Sequence, residues 1–170
     1  NESRDGFFEY KLRLPWRVNS GFSLFLNKNG FFSFDYEAVG YNSIRYNFGN
    51  SYKEVANEIN KQLKEKYKLG HNFRAGLEIV INKFKLRAGY NYLSSPIKRD
   101  LAAGTYNFSS HQVSGGFGIL WSKWALDFAY QHSFSKQFEQ VYRLDSVSIP
   151  GVNKNITRAN FSVSLAYRLK

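Results

Sequence analysis

The sequence predicts an all-β chain, a transmembrane antiparallel β-barrel to which residues 1–170 contribute seven C-terminal strands, with one short extracellular loop helix. Three observations predict it. Aromatic residues make up 18 % of the chain, yet the mean hydropathy is −0.46, so the apolar groups must be dispersed in a pattern. That pattern is strict alternation, the signature of strands with one apolar face. The links between the alternating segments are short and long by turns, as in outer-membrane barrels.

Each strand is legible in order. Phe22, Leu24 and Leu26 alternate with Gly21, Ser23 and Phe25, and Phe32, Phe34, Tyr36 and Ala38 with Ser33, Asp35 and Glu37. Phe73, Ala75, Leu77, Ile79 and Ile81 alternate with Arg74, Gly76, Glu78 and Val80. The next strand carries Phe84, Leu86, Ala88, Tyr90 and Tyr92 against Lys85, Arg87, Gly89 and Asn91. Val113, Phe117, Ile119 and Trp121 then oppose Ser114, Gly116, Gly118 and Leu120, and Trp124, Leu126, Phe128 and Tyr130 oppose Ala125, Asp127, Ala129 and Gln131. The last strand, residues 160–170, sets Phe161, Val163, Leu165, Tyr167 and Leu169 against Ser162, Ser164, Ala166 and Arg168. A tilted barrel strand crosses a bilayer in roughly 9–11 such residues.

Three links are tight: Asn27-Lys28-Asn29-Gly30, Asn82-Lys83 and Ser122-Lys123. Asn and Gly supply the positive φ that hairpin turns need. The other three are long, at about residues 49–69, 96–108 and 135–156. With the tight turns periplasmic, the last strand runs inward and the C-terminus is periplasmic. Seven is odd, whereas bacterial barrels have an even count. The polar start at Asn1, without an initiator Met, reads as an internal point of a longer, processed chain. The whole chain is thus expected to be part of a single barrel domain in the outer membrane.

The net charge of +11 admits nucleic-acid binding. Lys and Arg are scattered rather than clustered, so nucleic acid is not expected as a partner. Anionic lipid head groups, lipopolysaccharide included, suit the charge better, and dispersed solvated charge is the plain alternative. Asp35, Glu37, Arg74, Glu78, Lys85, Arg87, Asp127 and Arg168 fall on inward positions. Charges there would be very costly in a dry core and cheap in a wet lumen, which argues against a soluble lipocalin-like barrel. Their expected role is a mixed-sign network bracing the wall, or alternatively a polar path for a carboxylate.

Trp16, Tyr90, Tyr92, Trp121 and Trp124, with Tyr10, are expected at the two interfacial levels, where amphipathic rings are favoured. Lys28, Lys83 and Lys123 at the turns should face water. Aromatics also favour strands for packing reasons alone. Residues 51–66 break the β pattern. Ser51 and Glu54 fit a capping box, and Val55, Ile59 and Leu63 form one helical stripe, expected to pack on the barrel mouth. With Leu101, Tyr106 and Phe108 of the next long link, these residues are candidates for an apolar capture surface or for simple loop packing. The helix reads as a brace, with a gate or partner-docking element as the sharper alternative.

The order of motifs resembles a known family. Leu14-Pro15-Trp16-Arg17-Val18-Asn19 opens the first spanning strand, followed by Gly30-Phe31-Phe32-Ser33-Phe34-Asp35-Tyr36-Glu37 after the turn and Tyr41-Asn42-Ser43. Then come Asn72-Phe73-Arg74-Ala75-Gly76-Leu77-Glu78, Leu86-Arg87-Ala88-Gly89-Tyr90-Asn91-Tyr92 and Ser95-Pro96. Gly115-Gly116-Phe117-Gly118 and Leu126-Asp127-Phe128-Ala129-Tyr130 complete it. From about Tyr10 to the end, the chain resembles the C-terminal half of the FadL/TodX family of outer-membrane transport proteins. The resemblance implies a 14-stranded barrel, an N-terminal plug, and passage of hydrophobic small molecules such as long-chain fatty acids or aromatic hydrocarbons. A structural or accessory barrel within a larger assembly of outer-membrane proteins is the alternative. The ending Tyr167-Arg168-Leu169-Lys170 departs from the terminal aromatic common in such barrels.

No enzyme motif is present: there is no Gly-x-Ser-x-Gly, His-Glu-x-x-His or phosphate loop. Zero Cys leaves no thiolate metal site or cysteine nucleophile. No cofactor or metal is expected. His71, His111 and His132 lie near strand tops. His132-Ser133 after Asp127 has the residue types of a triad, but neighbours in sequence do not make one. Asp145-Ser146-Val147 fits a short O-glycosylation pattern, a match of a kind that chance usually supplies.

Overall fold

The computed structural model describes residues 10–49, 52–98, 108–139 and 152–169. Its elements are β1 (Lys11–Arg13), β2 (Arg17–Phe25), β3 (Gly30–Gly40), a 3-10 turn (Tyr41–Ser43) and β4 (Arg45–Asn47). Then follow α1 (Lys53–Lys66), β5 (Leu69–Ile81), β6 (Phe84–Leu93), β7 (Ser110–Trp121), β8 (Trp124–Glu139) and β9 (Val152–Tyr167). The protein is all-β apart from these short helical pieces. Seven strands form one antiparallel sheet in the order β2-β3-β5-β6-β7-β8-β9, each strand beside its successor, and β1 pairs with β4 in a separate two-stranded ribbon. Among the described residues no ladder joins β2 to β9, so the sheet has two open edges.

The three tight turns hold the register. Asn27, Asn82 and Ser122 take φ of 53°, 54° and 52°. Asn tolerates this left-handed region through local hydrogen bonding, whereas Ser occupies it at some cost. Gly30 has φ 147°, and a Cβ there would run into the Glu78 carbonyl, so only glycine fits. Beyond each turn the next strand continues the ladder: Val80 N donates to Asn29 O at 2.6 Å, Leu120 N to Lys83 O at 2.7 Å, and Arg168 N to Lys123 O at 2.8 Å.

All seven expected strands are present, with corrected limits. β2 begins at Arg17, so Leu14, Pro15 and Trp16 of the expected strand opening precede it, and Leu26 lies in the turn, where its N–H donates to Gly30 O at 2.8 Å. β8 and β9 reach 16 residues each, so residues 135–139 and 152–156, expected as link, are paired strand. Hydropathy marks only where one face is apolar, while a backbone ladder continues as long as its hydrogen bonds are met. The ribbon of β1 and β4 was not predicted, since three-residue strands carry too little alternation to read.

The helix starts at Lys53, with Tyr52 as its cap and no side-chain cap hydrogen bond. Ser51, the expected start of a capping box, lies outside the described residues. The packed stripe is also rotated. Ala56 is the buried position, Ile59 and Leu63 are half-buried, and Val55 is exposed. The helix packs chiefly on β4 and the 3-10 turn rather than on the main sheet. Asn60 locks it there: Tyr46 N donates to Asn60 Oδ1 at 2.8 Å, and Asn60 Nδ2 donates to Tyr46 O at 2.9 Å.

On β6, β7 and β8 the coverage is inverted relative to a water-soluble fold, whereas the edge strands β2 and β9 are exposed on both faces. Among the described residues, the buried hydrophobic side chains are Ala38, Val39 and Ala56 alone. On β6, Phe84, Leu86, Ala88 and Tyr90 are exposed while Lys85, Arg87, Gly89 and Asn91 are half-buried. Leu165 on β9 is 65 % exposed, whereas Glu37 is 7 % exposed.

Candidate functional site: an ion-paired polar face and a histidine-bearing apolar face

Antiparallel partners project to the same side of a sheet, so the registers sort every strand residue onto one of two faces. Asp35, Glu37, Arg74, Glu78, Lys85, Arg87 and Asp127 share the polar face, as the alternation predicts. Two clusters form. Glu37 receives Asn72 Nδ2 at 2.6 Å, Arg74 at 3.3 Å and Arg17 at 3.4 Å. Arg87 donates to Glu78 at 2.6 Å and to Asp127 at 2.5 Å. Asp35, Lys85 and Arg168 make no ion pair with a described residue, so these three of the eight candidates stand apart from the network.

Two members of the Glu37 cluster were missed. Arg17 and Asn72 follow from extending the two-residue period toward the strand starts, and the signal was available in both cases. The alternation also has exceptions. Phe25 and Phe31 are register partners on the polar face, with ring centroids 6.3 Å apart.

On the other face lie the aromatic and aliphatic residues. Among the described residues of the seven strands, this face carries no Asp or Glu. Its only basic side chains are His71, His111, His132 and Lys136, all toward the ends joined by the long links. Each imidazole is held by a tyrosine hydroxyl at Nδ1: Tyr36 with His71 at 2.8 Å, Tyr90 with His111 at 2.8 Å, and Tyr130 with His132 at 2.7 Å. His132 faces away from both Asp127 and Ser133, because odd spacings on a strand lead to opposite faces.

Neither a family model, nor a curated protein, nor a solved structure matches the chain. The likeness to the FadL/TodX family therefore rests on the order of motifs in the sequence.

The expected aromatic positions divide between the two ends of the sheet. Trp121 and Trp124 are register partners beside the Ser122-Lys123 turn, and Trp124 lies 4.7 Å from Tyr167. Trp16, at the opposite end, packs over Gly40, where a Cβ would strike its indole. Tyr92 lies toward that end too, 4.8 Å from His111, with Tyr90 one step nearer the middle. Tyr10 belongs instead to the small ribbon, 6.1 Å from Tyr46. Lys83 and Lys123 fold back over the rings of Phe84 and Tyr167, at 5.6 and 6.0 Å.

Of the loop candidates, Val55, Ile59 and Leu63 sit on α1, and Phe108 is half-buried just before β7. Leu101 and Tyr106 lie outside the described residues, as does Ser146. Among the described residues no group of His, Asp and Glu is placed to hold a metal ion. No described helix is long and apolar enough to cross a membrane, which says nothing of strands.

Proposed function

We propose that the chain forms part of an outer-membrane β-barrel that takes up hydrophobic small molecules passively, of the long-chain fatty acid or aromatic hydrocarbon class. The observation that carries the membrane half of this reading is the inverted coverage of β6, β7 and β8: Leu86, Tyr90, Phe117 and Phe128 are exposed on a face without carboxylates among the described residues, while Lys85, Arg87 and Asp127 are half-buried. Water penalises that arrangement at about 25 cal/mol per Å² of exposed apolar surface, and hydrocarbon removes the penalty.

The open edges support a larger barrel. Six antiparallel steps separate β2 from β9, so the two edges run in the same direction. Antiparallel closure needs an odd number of further strands, and seven would make the 14 that the resemblance implies. The tight turns would then be periplasmic, and α1 with the extended β8–β9 hairpin would stand outside the cell, with lipid and lipopolysaccharide around the apolar face.

Uptake itself rests on the family resemblance. Growth and labelled uptake on long-chain fatty acids and aromatic hydrocarbons, with and without the gene, test it. Unchanged uptake with the barrel correctly assembled would overturn transport. One observation favours the second reading, an accessory or structural barrel in a larger assembly. Arg87 and Arg74 are both engaged by wall carboxylates, which suits bracing better than a path for a carboxylate substrate.

A further inference from the structure

Among the described residues, the apolar face contains one place where several hydrogen-bond donors and no carboxylate line one cavity. A cavity of about 370 Å³ opens at the long-link ends of β7, β8 and β9, lined by His111, Lys136, Asn155 and Thr157 among others. These four are neighbours through the register. His111 opposes Phe134, which opposes Thr157, and Lys136 opposes Asn155 one step further along. All four side chains therefore rise on the same face from three adjacent strands. Lys136 is exposed and makes no ion pair with a described residue. The Tyr90 hydroxyl engages His111 Nδ1 at 2.8 Å, so Nε2 is the ring nitrogen not committed to that bond.

Beside it lies a second cavity of about 530 Å³, lined by Phe73, Tyr90 and Tyr92 and sharing His111 with the first. A cationic, donor-rich compartment thus adjoins an aromatic trough on the face that the membrane reading turns toward lipid. That juxtaposition fits an amphiphile with an anionic head and apolar tail. Lys136, Asn155 and Thr157 offer three donor groups to one cavity, beside the His111 ring and with Phe134 between His111 and Thr157, which suits a phosphate, with its several oxygens, better than a carboxylate, with two.

We propose that this corner of the apolar face, around His111 and Lys136, binds one phosphate-bearing lipid from the surrounding leaflet, its acyl chain lying along Phe73, Tyr90 and Tyr92. The proposal rests on the membrane reading above, and the two are separable by experiment. The full-length protein is reconstituted in phosphatidylcholine vesicles containing a small fraction of spin-labelled phosphatidate, and the motionally restricted component is compared with that of spin-labelled phosphatidylcholine.

The expected result is a preference for phosphatidate that falls roughly tenfold in Lys136→Gln and in Lys136→Gln/His111→Gln, the scale of a lost charge-assisted hydrogen bond. Lys28→Gln, at the far end of the sheet, leaves it unchanged. Quenching of tryptophan emission by brominated phosphatidylcholine reports embedding independently. Normal quenching without phosphatidate preference overturns the site, whereas absence of quenching overturns the membrane reading. Equal retention of spin-labelled stearate overturns the phosphate assignment. Displacement of phosphatidate by inorganic phosphate alone overturns the lipid assignment and leaves a simple anion site.

Discussion

Arg87 and Asp127 are ion-paired across a strand that lies between them. Arg87 is on β6 and Asp127 on β8, with β7 intervening, yet Arg87 NH1 lies 2.5 Å from Asp127 Oδ1. Two strand spacings amount to about 9.6 Å, a span that a guanidinium covers only over an unobstructed surface. β7 supplies that surface with Gly116, opposite Arg87, and Gly118, opposite Asp127. A Cβ on Gly118 would collide with the Asp127 carboxylate, and one on Gly116 would touch the Arg87 side chain at 3.5 Å.

Gly118→Ala is therefore expected to displace Asp127 and break the pair. Both partners are about one-third exposed, so the cost should be about 1 kcal/mol after screening. Urea unfolding of the reconstituted protein measures it. Combined with Asp127→Asn, the loss should not be additive, because both changes remove the same contact. Full additivity would mean that the glycine serves something else.

The two faces should respond oppositely to charge. Phe128→Arg and Val163→Arg place a guanidinium on the apolar face and should impair insertion by about 2–4 kcal/mol if they lie near the bilayer midplane. Ser114→Arg and Ser162→Arg, on the polar face of β7 and β9, should insert nearly as the parent does. Folding yield into vesicles reads the contrast. Equal effects on both faces would show that the apolar face does not meet lipid.

Because β2 and β9 leave two edges unpaired, the 170-residue chain by itself should not form a compact monomer in detergent. Unboiled samples on a gel should run as unfolded or associated species. A fast-migrating, heat-modifiable monomer would mean that the sheet closes on itself.

Asn60 ties the middle of α1 to β4, while Lys98 holds its C-terminal carbonyls at Lys64 and Lys66. Asn60 exchanges two hydrogen bonds with the backbone of Tyr46, so Asn60→Ala leaves both groups of Tyr46 to find water. The local opening energy should fall by about 1–2 kcal/mol. Faster exchange of the Tyr46 amide, with β6 amides unaffected, is the expected signature. Unchanged exchange would show that the Asn60 bonds contribute little beside Ala56 packing and the Lys98 bonds.

The sequence by itself determined the strands, their faces and the tight turns, because a period of two, a turn and an Asn or Gly are local properties of the chain. The membership of Glu78, Arg87 and Asp127 in one face followed from counting alone. Tertiary structure alone decided which of them meet. The Arg87–Asp127 pair spans 40 residues and depends on the register of β6 against β7 and of β7 against β8, and on two glycines between them. The pairing of each histidine with a tyrosine, the rotation of α1 onto Ala56 and the ribbon of β1 with β4 are likewise contacts between elements. So is the extra length of β8 and β9, where polar residues continue a backbone ladder. Hydropathy is blind to such a ladder, because its hydrogen bonds form whatever the side chains are.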